Sequence, residues 1–418
     1  MANGAEWIVM KDKYIWDFYI DYEEKLVANL IYQDNIIEEK IIDIEVEEFS
    51  LAEDLNKNIC GVYLKESKLY YFTFDYKKIF KKILYTSKKY IAELTVVILG
   101  DEINILFIEK VRLRSISGNI INCVYTNDKM QVSSVAEINL ISQNNTHYQI
   151  EKLGDNSIMM LYLNKKLDQI KVNANVYKKR HWDNDINLYE IKGSRIEISC
   201  MYIDDRIIIL NLSKYMGKNI LELVEIEDGK KSSYTKIFES SGKIFNSFLM
   251  RGKDELWIIW QEGVELFGAK YGDDFKYIYV KDLSLELQEN EEIQLYNCIN
   301  INTNQCMKVL GGERAEFNFI SPNIIFKESN RISLDYSSEE KQDKFNYQQI
   351  KGKIDNIKNE KIKIEQVLKS LDADFRKASA GSKVFLGNSD KDDDNYKDLK
   401  KELENVKKIN NDILKGWV

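Results

Sequence analysis

Apolar residues recur along this chain in two rhythms. Up to about Asp335 they form short runs that alternate with polar residues at a period of two, and from Tyr336 onward the spacing changes to three and four. The first rhythm predicts β-strands and the second amphipathic helices. In the strand region the runs come in pairs around turn residues. Gly61–Leu64 and Leu69–Phe72 flank Lys65-Glu66-Ser67, and Val96–Leu99 and Ile103–Phe107 flank Gly100-Asp101. Tyr148–Leu153 meets Ile158–Leu163 at Gly154-Asp155, and Ile196–Tyr202 meets Ile207–Leu212 at Asp204-Asp205. Phe245–Met250 turns at Arg251-Gly252-Lys253 into Leu256–Trp260. Gly and Asp at such centres accept the positive φ of tight hairpins, and the β-branched and aromatic flanks suit pleated, half-buried strands.

Two further hairpins, turning near Tyr22-Glu23 and near Thr303-Asn304, bring the series to seven. Their centres fall near residues 22, 66, 100, 154, 204, 252 and 303, so most are about 45–50 residues apart, with one short gap between 66 and 100. That is the length of a four-stranded propeller blade. Between the hairpins there is room for two more strands, as at Gln169–Tyr177, or at Ile220–Ile226 with Tyr234–Phe238. The expected fold is therefore mainly β, a seven-bladed β-propeller over residues 1–335. Strand-like runs after the last hairpin, including Arg331–Leu334, would complete the final blade alone or beside Trp7–Met10. The repeat hallmarks of common propellers are nearly absent. Trp16-Asp17 and Trp182-Asp183 lack an accompanying Gly-His pair, and Gly311-Gly312 is the one double glycine.

The tail, residues 336–418, predicts a helical hairpin or coiled coil, with helices over about 340–376 and 395–415 and a flexible loop over 377–394. Tyr347, Ile350, Ile354, Ile357, Lys361, Ile364, Leu368, Leu371 and Phe375 are spaced three and four apart, an a/d seam interrupted by one Lys. A second seam runs through Tyr396, Leu399, Leu403, Val406, Asn410 and Ile413. A seam this regular must be covered by something apolar. The expected partner is another protein or a second copy of the chain, held through Tyr347, Ile350, Ile354, Ile357, Ile364, Leu368 and Leu371 with Leu399, Leu403 and Val406.

Charge sharpens the division. Of 60 Lys and Arg and 68 Asp and Glu, the tail holds 18 and 16, so the strand region carries a net −10 and the tail +2. That balance argues against general nucleic-acid binding, which needs basic side chains to neutralise phosphates. The most apolar runs are strand-length, well short of the roughly 20 residues of a spanning helix, so no membrane association is expected. The first residues show no basic or apolar leader pattern, and the five cysteines (Cys60, Cys123, Cys200, Cys298, Cys306) are scattered, which points to reduced thiols and a cytoplasmic setting. Abundant Ile, Lys, Asn and Tyr with a single Pro suggest an AT-rich bacterial genome.

Candidate chemistry is sparse. His147 and His181 are the only histidines, and no phosphate loop, zinc-spaced cysteine set or nucleophile elbow is present. They read as incidental, and no catalytic residue, metal or cofactor is expected. Lys178-Lys179-Arg180-His181-Trp182 mixes basic and aromatic residues and could grip an anion, or simply join two blades. Lys77–Leu84 reads the same way, or as an outer strand with charged edges. Asp390, Asp392, Asp394 and Asp398 echo a calcium loop, but Asn395 stands where the turn wants Gly and Lys401 where a bidentate Glu should close the shell. The residues favour a non-catalytic interaction or scaffold protein, with the propeller as docking surface and the tail for assembly. A structural component of a bacterial or phage assembly, or a propeller-type hydrolase, stands as the alternative.

Overall fold

In a computed structural model the regular elements are all β-strands, described for residues 6–11, 13–32, 35–74, 78–141, 146–154, 156–167, 169–227, 230–251, 255–272, 275, 277–283, 294–300, 305–311, 325–326 and 330–333. The chain divides into two compact units, Met1–Phe345 and Asn346–Val418. The expected tail helices and the acidic run at 390–398 lie outside the described residues.

The described strands gather into six sheets in chain order. Blade one holds β1 (Trp7–Lys11), β2 (Tyr14–Ile20), β3 (Leu26–Tyr32) and β4 (Asn35–Asp43). Blade two holds β5 (Glu48–Glu53), β6 (Ile59–Lys65), β7 (Lys68–Phe74) and β8 (Ile79–Thr86). Blade three holds β9 (Tyr90–Leu99), β10 (Glu102–Lys110), β11 (Ser117–Thr126) and β12 (Lys129–Asn139). In blade four, β13 (Tyr148–Gly154), β14 (Ser157–Lys166) and β15 (Gln169–Lys178) are followed by a divided outer strand, β16 (His181–Trp182) and β17 (Ile186–Lys192), both paired with β15. Blade five holds β18 (Arg195–Ile203), β19 (Arg206–Tyr215), β20 (Lys218–Glu227) and β21 (Lys230–Ser240). Blade six holds β22 (Ile244–Arg251), β23 (Leu256–Glu262), β24 (Glu265–Lys270) and β25 (Tyr277–Asp282). After these come β26 (Gln294–Asn300), β27 (Gln305–Gly311) and β28 (Asn330–Ser333).

The seven expected hairpins are present, but they build six blades. The last one, β26 with β27, forms no sheet of its own. β26 runs parallel to β1, from Trp7 opposite Asn297 to Met10 opposite Asn300, and so extends blade one to six strands. Among the described residues there are six blades, and the expected seventh is not among them. Segments almost 300 residues apart in the chain share one sheet, and β26 covers the edge of β1. β28 pairs with β25 and completes blade six.

Packing closes the ring. Trp16 and Phe18 of blade one meet Phe49, Phe72 and Phe74 of blade two. Val62 and Leu64 meet Val96, Ile105 and Phe107 of blade three. Leu106 and Ile108 on the opposite face of β10 meet Tyr148, Ile158 and Met160 of blade four. Met159 and Leu161 meet Cys200, Ile209 and Val224 of blade five. The Phe238 ring lies 5.3 Å from Trp260 and 5.5 Å from Phe267 of blade six. Phe248, Trp257 and Ile259 then meet Ile8, Tyr296 and Cys298 of blade one. Each middle strand is thus covered on both faces, which is why β14 reads as an unbroken apolar run from Ile158 to Leu163. Outer strands are less covered: β4 is exposed over Asn35–Glu39, and β12 alternates over its second half. Cys60, Cys123, Cys200 and Cys298 are buried.

Two-residue turns carry the hairpins where both residues take positive φ, at Glu66-Ser67, Asn127-Asp128, Lys179-Arg180 and Asp204-Asp205. These are the backbone angles of the type I′ turn, whose twist matches the flanking strands.

Candidate ligand-binding cleft

The seam residues Tyr347, Ile350, Ile354, Ile357, Ile364, Leu368, Leu371, Leu399, Leu403 and Val406 lie outside the described residues. The basic and aromatic stretch 178–182 is described, and it is a clasp between blades three and four. Lys179 and Arg180 form the turn from β15 to β16. Arg180 is ion-paired with Glu102 of β10, a nearly buried acid that also accepts from the Tyr177 hydroxyl at 3.3 Å. Lys178 pairs with Asp183 at 2.8 Å, and the Trp182 ring packs 5.2 Å from Tyr177. Most of the positive charge is therefore matched within the protein. Lys78–Leu84 enters β8, the outer strand of blade two, where Lys81 pairs with Asp43 and Lys82 with Asp128.

His147 is not incidental. It is buried just before β13, and its Nδ1 lies 2.6 Å from a Glu93 carboxylate oxygen. Its backbone N–H donates to the other Glu93 oxygen at 2.6 Å, and the Ile141 N–H donates to its Nε2 at 2.9 Å. Glu93 sits at positive φ in an irregularity of β9. The backbone N–H groups of Glu93 and Leu94 in turn donate to Glu48 of β5 at 3.0 and 2.6 Å. Burial pushes the Glu48 carboxyl up to about 7, with the Glu93 charge adding and the two N–H bonds opposing.

The same device continues round the ring. Ser50 Oγ accepts from the Val96 N–H at 3.1 Å, Gln149 exchanges two bonds with the Cys200 backbone, and Ser199 Oγ accepts from the Leu249 N–H at 3.1 Å. Polar side chains on β5, the start of β13, and β18 thus tie the first strands of blades two, four and five to the first strand of the following blade.

A different arrangement lies between blades four and five. A cleft of about 240 Å³ is lined by Tyr189, Glu190, Ile191 and Lys192 of β17 and by residues of β19, β20 and β21. From blade five it takes Asn211, Ser213, Tyr215, Ile220, Glu222, Val224 and Tyr234. β17 reaches this place because the outer strand of blade four is divided. β16 occupies the Tyr177 end of β15, and β17 pairs with the opposite end, with a register shift between Val172 and Asn173.

Asn211 and Glu222 are cross-strand partners on β19 and β20, on the face that turns toward blade four. The Tyr189 hydroxyl donates to Asn211 Oδ1 at 2.8 Å, and the Tyr234 hydroxyl donates to Glu222. Burial holds both phenols well above the usual tyrosine range, with the Glu222 charge adding to it at each. Asn211 has no exposed surface, and its Nδ2 has no hydrogen-bond partner. A buried donor left unmade costs about 1–3 kcal/mol.

None of these residues stood out in the sequence. The available signal was Asn211 itself, a polar interruption in the apolar run from Ile207 to Leu212. Its facing tyrosine comes from the preceding blade, where local pattern gives no hint. Among the described residues, no three His, Cys, Asp or Glu side chains are grouped to hold a metal ion, and no helix is long and apolar enough to cross a membrane.

No protein-family model matches the chain, and no curated protein matches it. Solved structures similar in fold include a mutant of AofleA from Arthrobotrys oligospora, 10% identical, with a TM-score of 0.42 over 67% of this chain and 87% of that one. A puromycin-hydrolyzing peptidase of Mycobacterium tuberculosis is 8% identical, with a TM-score of 0.44 over 81% of this chain and 53% of that one. An α-L-arabinanase of Penicillium chrysogenum is 8% identical, with a TM-score of 0.38 over 64% of this chain and 92% of that one.

Proposed function

We propose that this protein is a non-catalytic binding and assembly protein. The propeller offers the docking surface, and the C-terminal segment associates with itself or with a protein partner through the seam around Ile354, Ile357, Ile364 and Leu368. What supports binding over catalysis is the condition of the acids at blade junctions. Glu48 holds two backbone N–H groups, Glu93 holds His147, and Glu102 holds Arg180 and Tyr177. In the cleft, Glu190 is paired with Lys171 at 3.0 Å and Glu222 is held by Tyr234. A general acid or base has to be within reach of a substrate proton and poised to move it, and these groups are committed to the fold.

The test is the mass of the full chain in solution, by light scattering, together with turnover on a broad panel of hydrolase substrates. A dimer or larger species with no turnover is expected. Ile357→Asp together with Ile364→Asp should reduce that species to a monomer while leaving the propeller's melting transition in place, because a charge in an apolar seam adds a desolvation cost. A monomeric parent chain overturns the assembly role, and turnover of any substrate overturns the non-catalytic one.

A further inference from the structure

Each blade starts its first strand at one end of the ring, and its turn from second to third strand lies at that same end. Backbone bonds mark the end by joining these turns to the connections between blades. The Val46 N–H donates to Glu24, Ser87 to Ser67, Leu140 to Ile116, and Ser194 to Lys214 at the end of β19. At blade four, the Asn139 N–H donates to the Asn164 side chain beside the turn at 3.1 Å.

On three consecutive blades these turns put large apolar side chains into solvent. Blade three has Val111, Leu113 and Ile116, which are 71, 67 and 83% exposed. Blade four has Leu167 at 86%, and blade five has Met216 at 83%. Single exposed apolar residues are ordinary, so their backbone settings decide what they mean. Leu167 and Met216 stand at φ 55° and 49°, angles that favour Gly, Asn or Asp. Such residues do hold them at the other end of blades three and five, in Asn127-Asp128 and Asp204-Asp205. The blade-three turn is pinned, since the Arg112 N–H donates to Ser115 Oγ at 2.9 Å and the Arg112 carbonyl accepts from the Ser115 N–H at 3.0 Å. Bulky apolar side chains in these places give the fold nothing by burial.

The same turns are basic. Residues 110–116, 165–168 and 214–218 hold seven Lys and Arg and one acid, Asp168. The connections beside them, residues 87–89, 140–147, 193–194 and 241–243, contain no acid. On adjoining strands Glu109 is matched by Lys89 at 2.8 Å, and Glu239 by Lys218 and Lys236. Arg112, Arg114, Lys166 and Lys214 are exposed. The corresponding turns of blades one and six are acidic, Asp21-Tyr22-Glu23-Glu24 and Glu262-Gly263-Val264-Glu265. Charges further away than about 8–10 Å are largely screened, so a positive half persists on a chain of net −8.

A partner for this half must take apolar side chains from three separate turns and meet basic side chains around them. A folded partner would need a matched pocket for each. The interfacial layer of a bilayer accepts each where it falls, and anionic headgroups meet the cations. Binding of this kind needs no spanning segment. We propose that the end of the propeller built by these turns of blades three, four and five lies on an anionic lipid surface. Leu113, Leu167 and Met216 enter the interface, and Arg112, Arg114 and Lys166 meet headgroups. This deepens the reading of the propeller as a docking surface and rests on it.

The experiment is co-sedimentation of the full chain with vesicles of phosphatidylcholine alone and of equal parts phosphatidylcholine and phosphatidylserine. Binding to the mixed vesicles, much weaker binding to the neutral ones, and a fall with added salt are expected. Arg112→Gln with Arg114→Gln should weaken binding on the order of twentyfold, about fivefold for each cation lost. Leu113→Gln with Leu167→Gln and Met216→Gln should weaken it about tenfold or more. All five positions are exposed, so both variants should melt with the parent chain. No binding to the mixed vesicles, equal binding to both kinds, or binding that survives either set of substitutions overturns the proposal. Self-association lost through these substitutions, in a chain that binds no vesicles, would make the face a contact between copies and overturn it too. Vesicle binding by a chain that stays monomeric would remove the assembly role and leave the lipid face standing. Assembly without vesicle binding would remove the lipid face alone.

Discussion

Asp17 on β2 gives the most direct test of how this fold treats its buried charges. It lies in register with Ile8 on one side and Asn29 on the other, at the junction of blades one and six. Asn29 is buried, and its Nδ2 donates to the Tyr19 hydroxyl at 3.1 Å. Oδ1 of Asp17 and Oδ1 of Asn29 both lack a partner. Burial pushes the Asp17 carboxyl from 3.8 up to about 7, and the Glu6 charge adds to the shift. Glu6 is itself raised by burial, against a hydrogen bond from Tyr296.

The folded protein therefore holds this proton more tightly than the unfolded chain does. The stability it contributes is complete below pH 3.8, is lost as the pH rises toward 7, and stays lost above that. Each pH unit inside that window is worth about 1.4 kcal/mol, and two of them lie between pH 5 and pH 7. Asp17→Asn removes the titration and keeps the volume. Urea unfolding of both proteins at pH 5 and pH 8 cancels, in the double difference, the titrating groups not coupled to Asp17. The variant is expected to gain about 2–3 kcal/mol more over the parent at pH 8 than at pH 5. A stability gap that stays the same at the two pH values, within about 0.5 kcal/mol, would refute the claim that Asp17 is held protonated by burial.

Other substitutions probe separate features. His147→Ala strips the partner from Glu93 and from the Ile141 N–H, and should cost about 2–4 kcal/mol in the urea midpoint analysis. A loss under about 0.5 kcal/mol would return His147 to the incidental role its sequence context suggested. Gly268→Ala places a methyl group on the Phe326 ring, which stacks 5.3 Å from Trp257, and should cost about 1–3 kcal/mol with a change in tryptophan emission. Unaltered emission and stability would show that Phe326 moves aside freely.

The hairpins were legible because two local signals agree in them. At Asp204-Asp205 the flanking runs alternate as strands, and the turn residues are short polar ones that tolerate the observed positive φ. The number of blades was not legible, for two reasons of position. The turn at Glu66 joins the second and third strands of blade two, whereas the turn at Gly100 joins the first and second of blade three. The short gap between them reflects that difference and not a missing strand. The seventh hairpin then finds its neighbour in β1, and pairing across nearly the whole chain leaves no mark on local periodicity. The cleft was invisible for a related reason. Asn211 reads as a polar residue in an apolar strand, and only the arrival of β17 from blade four turns it into the wall of a cavity.

The placement of that cavity at the outer part of a blade junction follows from how the ring is tied. Successive first strands are joined by side chain to backbone bonds, from Ser50 to Val96, from Glu93 to His147, from Gln149 to Cys200 and from Ser199 to Leu249. Polar groups there already have partners, and withdrawing one to bind a ligand would leave a backbone N–H unmatched between two sheets, a cost of about 1–3 kcal/mol. β17 is free to sit where the divided edge of blade four leaves it, and its tyrosine can orient Asn211 without loosening a blade.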